Sequence, residues 1–170
     1  MPGGPRYEDD FYAWTQYQAD VLRNPRIRDN RFDRAHVVEE IADLGKSERD
    51  AVRSQVRRIL EHFLKLTHSP SRDPRFDWIG TIIDACATLG DKLSPTLRHD
   101  VAERLDQLYA IARKRAAVDL QKHGDSEAAA SMPLRCPYTI DQVLADDWYP
   151  EAADAPGLPS APPGSTACGA

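Results

Sequence analysis

The chain reads as an all-α protein, a single-domain bundle of about five helices with a short C-terminal helical hook. Three observations predict that class. Apolar residues recur at three- and four-residue intervals from about residue 8 to about residue 123. The breaks between these stretches carry helix caps and stops: Asn24-Pro25, Gly45, Ser69-Pro70, Asp73-Pro74, Ser94-Pro95 and His123-Gly124. The connections between stretches are short, as in bundles of packed neighbours.

The first helix covers residues 8–22, with Phe11, Trp14, Gln18, Val21 and Leu22 at helical spacing and Asn24-Pro25 as its stop. Val37, Val38, Ile41 and Leu44 predict a short second helix, capped by Asp33 and ended by Gly45. Ser47 then opens a third, whose face of Val52, Val56, Ile59, Leu60, Phe63 and Leu66 runs to about His68. Asp73-Pro74 starts a fourth, with Trp78, Ile79, Ile82, Ile83, Cys86 and Leu89 on its inner face. Ser94-Pro95 starts the longest, which carries Leu97, Val101, Leu105, Leu108, Ala112 and Ala116 along one side until His123-Gly124. Residues 124–136 read as a loop. Thr139 caps a last turn holding Ile140, Val143 and Leu144, and Trp148-Tyr149 form a hook that docks on the bundle. The domain therefore covers 7–150, between a disordered 1–6 and a disordered Ala/Pro/Gly-rich tail, 151–170.

Lys and Arg number 22 against 27 Asp and Glu, a net charge of −5, so no global field draws the chain to nucleic acid or an anionic membrane. No stretch approaches the roughly 20 apolar residues of a membrane span, and MPGGPRYEDD lacks a basic region followed by an apolar one. Cys86, Cys136 and Cys168 have neither disulfide-framework nor metal-site spacing. The expectation is a cytoplasmic protein, with no membrane contact and no resident cofactor.

Chemistry, if any, concentrates between residues 36 and 65. Glu39, Glu40, His62 and Lys65 form a candidate polar cluster, because charge there borders an apolar seam. His36 and Glu40 are four apart and share a helix face. His62 joins them if the second and third helices fold back antiparallel at Gly45, giving two imidazoles and a carboxylate for a divalent metal. The bland reading pairs one of the two glutamates with Arg53, Arg57 or Lys65 and makes His62 a half-buried donor to Glu40. Ser54 is about 12 Å along the helix from His62, too far for a nucleophile and base pair. Arg49, Arg53 and Arg57 form a stripe suited to phosphate contacts, diluted by Glu48, Asp50 and an expected Arg57–Glu61 pair. No phosphate loop, nucleophile elbow or dinucleotide fingerprint is present.

Several blocks together carry a resemblance: YEDDFYAWTQYQADVLR at 7–23, VVEEIADLGKSERDAVRSQVRRILEHFLKL at 37–66, SPTLR at 94–98 and CPYTIDQVLADDWYP at 136–150. In order and spacing they resemble the bacterial all-helical family filed as domain of unknown function 29, over about residues 7–150. The resemblance implies an all-helical fold and no assigned substrate, cofactor or partner. Its signature positions fall here on Asp10, Phe11, Trp14, Glu39, Glu40, Ile41, Leu44, Gly45, Ser54, His62 and Lys65. Phe63 and His36 depart from the family pattern, so a site needing His36 is not a family-wide site.

The biochemical activity stays unknown at this level. The preferred reading is a non-enzymatic helical module that binds another protein or itself. Trp14 and Trp78 serve as core anchors, while Phe11, Tyr12 and Tyr17 span too wide an arc of one helix for all to be buried. The alternatives are a metal-dependent protein or hydrolase at His36, Glu40 and His62, and a nucleic-acid-associated protein using the arginine stripe.

Overall fold

The computed structural model describes residues 4–23 and 34–151. Among these residues the fold is all-helical: α1 (Phe11–Arg23), α2 (Arg34–His68), α3 (Arg75–Lys92), α4 (Pro95–Glu103), α5 (Leu105–Lys122), α6 (Ser126–Ser131) and α7 (Ile140–Leu144). None of them is long and apolar enough to cross a membrane. The Asn24-Pro25 stop, the Asp33 cap, Cys168 and the tail beyond Glu151 lie outside the described residues, as do residues 1–3 of the N-terminal segment.

Two helix assignments are corrected. The second and third predicted helices are one, because α2 runs unbroken for 35 residues through Gly45 and Ser47. Gly45 is not a stop. A Cβ built there would overlap the Thr15 hydroxyl and lie 2.7 Å from Gln16 Nε2, so glycine lets α1 approach α2 closely. The long predicted fifth helix is instead two, α4 and α5, divided at Arg104, whose φ of −102° and ψ of 9° leave the helical well. Neither glycine nor proline marks that break. The predicted 124–136 loop also contains the short helix α6.

The helices group into two compact units. The first draws on Met1–Val52 and Lys92–Asp100, the second on Arg53–Asp91 and Val101–Ala170. In the first, Ala19 of α1 packs with Val38 and Ala42 of α2, and Leu22 and Ile41 cover them. Asp10, 8% exposed, joins two helix starts. One carboxylate oxygen accepts from the Ala13 amide of α1 at 2.8 Å, the other from the Thr96 amide of α4 at 2.9 Å. Ser94 adds its own cap, its hydroxyl accepting from the Leu97 amide at 3.3 Å. Burial alone would raise the Asp10 pKa. Hydrogen bonds from Thr96, Ala13 and Ser94 outweigh it and hold the carboxyl below the ordinary range. Lys92 and Glu48 close the unit with an ion pair at 2.8 Å. Trp14 is half-buried rather than a core anchor, its ring stacked on Phe11 and met edge-on by Tyr7. Tyr17 is exposed while Phe11 and Tyr12 are half-buried, and Leu44 is exposed, on the far side of α2 from its core face.

In the second unit, Val56, Ile59, Leu60, Phe63, Leu64 and Leu66 of α2 share a core with Ile82, Cys86 and Leu89 of α3, Tyr109, Ala112 and Ala116 of α5, and Val143 and Leu144 of α7. Two helix ends are closed as the sequence predicts. Gly124, with φ of +91°, closes α5 in a Schellman motif: the Asp125 amide donates to the Leu120 carbonyl at 2.9 Å and the Gly124 amide to the Gln121 carbonyl at 3.1 Å. Thr139 and Gln142 form a reciprocal capping box at α7. The hook docks as expected, Trp148 meeting Phe63 edge-on at 5.2 Å with Tyr138 beside both. Trp78 is half-buried and Ile83 is exposed, so neither is the core residue predicted.

Because one carboxylate caps two helices, Asp10→Ala should cost about 2–3 kcal/mol at pH 7, more than the 0.5–2 kcal/mol of a single cap. The folded pKa lies below the unfolded value of about 3.9, so this stabilisation is whole above that pH and is lost as pH falls through the folded pKa. Urea unfolding of wild type and variant should show a gap that narrows below about pH 4; a gap independent of pH, or under about 0.5 kcal/mol at pH 7, would contradict the double cap.

Candidate functional site

The sequence offers His36, Glu40 and His62 as one cluster across a turn at Gly45. All three sit on α2, and the 22 residues from Glu40 to His62 correspond to about 33 Å of helical rise. The antiparallel return that would have joined them needed a turn at Gly45, which is helical. His36, Glu39 and Glu40 are exposed. Among the described residues no three His, Cys, Asp or Glu side chains are placed to hold a metal ion.

His62 instead donates from Nδ1 to the carbonyl of Arg58 at 2.8 Å, one helical turn back. Burial lowers its pKa, and the nearby Lys65 charge lowers it further, so the ring is neutral at physiological pH. Lys65 does join carboxylates, but different ones. Its side chain is 7% exposed, and Nζ lies 2.9 Å from Glu61 Oε1 and 2.7 Å from Asp119 Oδ2. Glu61, the partner expected for Arg57, pairs with Lys65. His123 stands at the edge, its Nε2 3.8 Å from Asp119 Oδ1.

This ion cluster ties the C-terminal half of α2 to the last turn of α5. Desolvation pushes the Lys65 pKa down, but the Asp119 and Glu61 hydrogen bonds exceed it and the net shift is upward. The same bond from Lys65 draws Asp119 downward against its own desolvation. An ammonium held between two carboxylates has no lone pair to offer as base or nucleophile. What the arrangement does visibly is hold α2 against α5. The sequence exposes half of it: Lys65 stands out beside the apolar seam, whereas Asp119 sits 54 residues away with no local motif to mark it.

A second polar seam lines the end of α2. Thr67 Oγ1 lies 3.1 Å from the Tyr138 hydroxyl, whose pKa burial pushes up to about 12. Arg75 donates to the Leu66 carbonyl at 2.8 Å, one of the carbonyls that α2 leaves open at its C-terminus. His68 Nδ1 and Ser131 Oγ are 3.0 Å apart. They are not a nucleophile and base, since the Ser131 hydroxyl donates to the Ala128 carbonyl at 2.9 Å and so accepts from His68. Ser131 also ends α6, where carbonyls rather than amides point outward and no oxyanion donors are offered.

The arginine stripe is not a solvent-facing track. Arg49, Arg53 and Arg57 are all half-buried along the core edge of α2. Arg49 pairs with Asp50 at 3.0 Å, and Arg57 Nε is buried without an acceptor. Farther along the chain, Arg113 turns inward and donates to the Met132 carbonyl at 3.2 Å, while Lys114 and Arg115 are exposed.

A Lys65 and Asp119 double-mutant cycle should give a coupling of about 1–3 kcal/mol at pH 7, discounted for the exposed flank of Asp119. Asp119, with its pKa lowered, contributes above about pH 4 and loses that contribution as pH falls through its folded pKa. Lys65, with its pKa raised, contributes below about pH 10 and loses it as pH rises through the folded value. Denaturant titrations at pH 7 and pH 3 check both; an equal coupling at the two pH values would rule out the ion pair as its source.

Comparison with known proteins places this architecture. No match was found among curated proteins. An alpha-helical protein of unknown function from Rhodospirillum rubrum ATCC 11170 is similar in structure, with a TM-score of 0.73 and 26% identity over 86% of this chain and 93% of that one. The family profile described as domain of unknown function DUF29 matches residues 6–149, a span that takes in the Asp10 cap, all of α2 and the hook. The chain belongs to the DUF29 family.

Proposed function

We propose that this protein is a non-enzymatic helical interaction module, acting in the cytoplasm by docking a protein on exposed helix faces. The observation that carries the reading is the apolar surface of the second unit. Phe76 and Ile83 on α3 are 82% and 50% exposed, and Ile111 and Val118 on α5 are 42% and 67% exposed. Each pair is seven residues apart, so each forms a stripe on one helix face. Apolar side chains scattered singly need no explanation, but ordered rows of them mark binding surfaces. The locked state of Lys65, with both carboxylates engaged, fits a structural role for the polar cluster. Cys86 and Cys136 are free thiols, in keeping with a reducing compartment.

A photo-crosslinking residue at position 83, introduced into the full chain in living cells, tests this reading. The expected result is one discrete adduct that disappears when Phe76→Asp is added and is absent with the probe at the exposed position 43. No adduct from position 83, or the same adduct from both positions, would overturn the reading.

A further inference from the structure

The two stripes of the second unit differ in chemistry, and the difference is complementary. On α3 the exposed positions Phe76, Ile83, Ala87 and Gly90, with half-buried Gly80 among them, follow four-three-four-three spacing, the spacing of a helix-packing seam. Phe76 and Ile83 project, while Gly80, Ala87 and Gly90 leave hollows. A Cβ built on Gly80 meets nothing within 4 Å, so packing inside the chain does not require a glycine there, although glycine costs a helix interior about 1 kcal/mol relative to alanine. Along one side of the seam run Asp77, Asp84 and Asp91, all exposed and spaced by seven. On α5 the exposed seam is Gln107, Ile111, Lys114, Val118 and Gln121, with Arg115 and Lys122 beside it. Here the apolar residues project between cations. None of Asp77, Asp84, Asp91, Lys114, Arg115 and Lys122 makes a side-chain ion pair among the described residues.

We infer that a second copy of this chain docks on α3, laying its own α5 along the seam. The inference rests on the reading of the protein as an interaction module and names its partner. Both helices have 18 residues, so the seams match in length. Ile111 and Val118 of the partner copy enter the hollows over Gly80 and Ala87, and Lys114, Arg115 and Lys122 of that copy face the aspartate rail. Pairing α3 with α3 would bring two aspartate rails together, and pairing α5 with α5 would bring together two rows of cations; only the α3 to α5 contact opposes unlike charges. Where the arrangement is two-fold symmetric, each pair of copies makes the contact twice.

Sedimentation velocity of the purified full chain over a concentration series tests the inference. Wild type should self-associate, and less so as salt rises from about 0.1 M to about 1 M and the Debye length falls from about 10 Å to about 3 Å. The Asp77→Lys/Asp84→Lys chain and the Lys114→Glu/Arg115→Glu chain should each raise the dissociation constant at least about tenfold. An equimolar mixture of the two should recover association, because every α3 to α5 contact between unlike chains is again complementary. Gly80→Leu should leave the monomer at least as resistant to urea and abolish association. A wild type that stays monomeric, or a mixture that fails to recover, overturns the inference. A monomeric wild type that still gives the position 83 adduct with another protein would sink the homotypic contact alone, leaving the interaction module standing.

Discussion

The structure depends on α2 remaining one helix. Its Val38 and Ala42 belong to the core of the first unit and its Val56 to Leu66 to that of the second, so the one helix supplies apolar side chains to both. The vulnerable point is Gly45, which by propensity alone weakens the rod. Tertiary packing decides the matter. With no Cβ at position 45 the Thr15 side chain fits against the α2 backbone, and its hydroxyl, which could find no water there, is satisfied by the Tyr12 carbonyl at 2.8 Å. The glycine that looks like a terminator is the place where the neighbouring helix comes closest.

Polar groups in this protein serve mainly to fix where helices start, stop and cross. Asp10 caps α1 and α4 together, Gly124 closes α5, Thr139 opens α7, and Arg75 answers a carbonyl at the end of α2. Lys65 does the same for a crossing, with Glu61 on its own helix and Asp119 on α5. Such an ion cluster adds little net stability over an apolar contact of the same shape. It is costly to break, because removing one partner leaves the others charged in a poorly solvated place. That asymmetry fixes the register of α2 against α5 without requiring the group to react with anything.

The sequence disclosed the fold class, the hook and most helix ends, because caps are local chemistry: Ser94-Pro95, His123-Gly124 and Thr139 with Gln142 act within a few residues of themselves. It misplaced what depends on distant partners. Nothing near Gly45 announces Thr15, nothing near Lys65 announces Asp119, and nothing near Arg104 marks the break between α4 and α5. The same limit explains the candidate site. Glu40 and His62 were brought together only by a turn that local signals favoured and long-range packing removed. Burial was also overestimated where an apolar residue lies at the margin of a helix face, as for Trp78, Ile83 and Leu44, since periodicity gives a face but not its width.

The separation of Glu40 from His62 follows directly from the continuity of α2, and a distance measurement between them decides it. Spin labels on cysteines placed at positions 40 and 62, with the native cysteines replaced, report that distance by pulsed electron paramagnetic resonance. A continuous helix predicts about 33 Å between the backbone sites, widened by the label arms into a single narrow distribution. A distribution centred below about 20 Å would mean that the helix folds back near Gly45, contradicting the account of α2 and returning the histidine and carboxylate cluster to consideration.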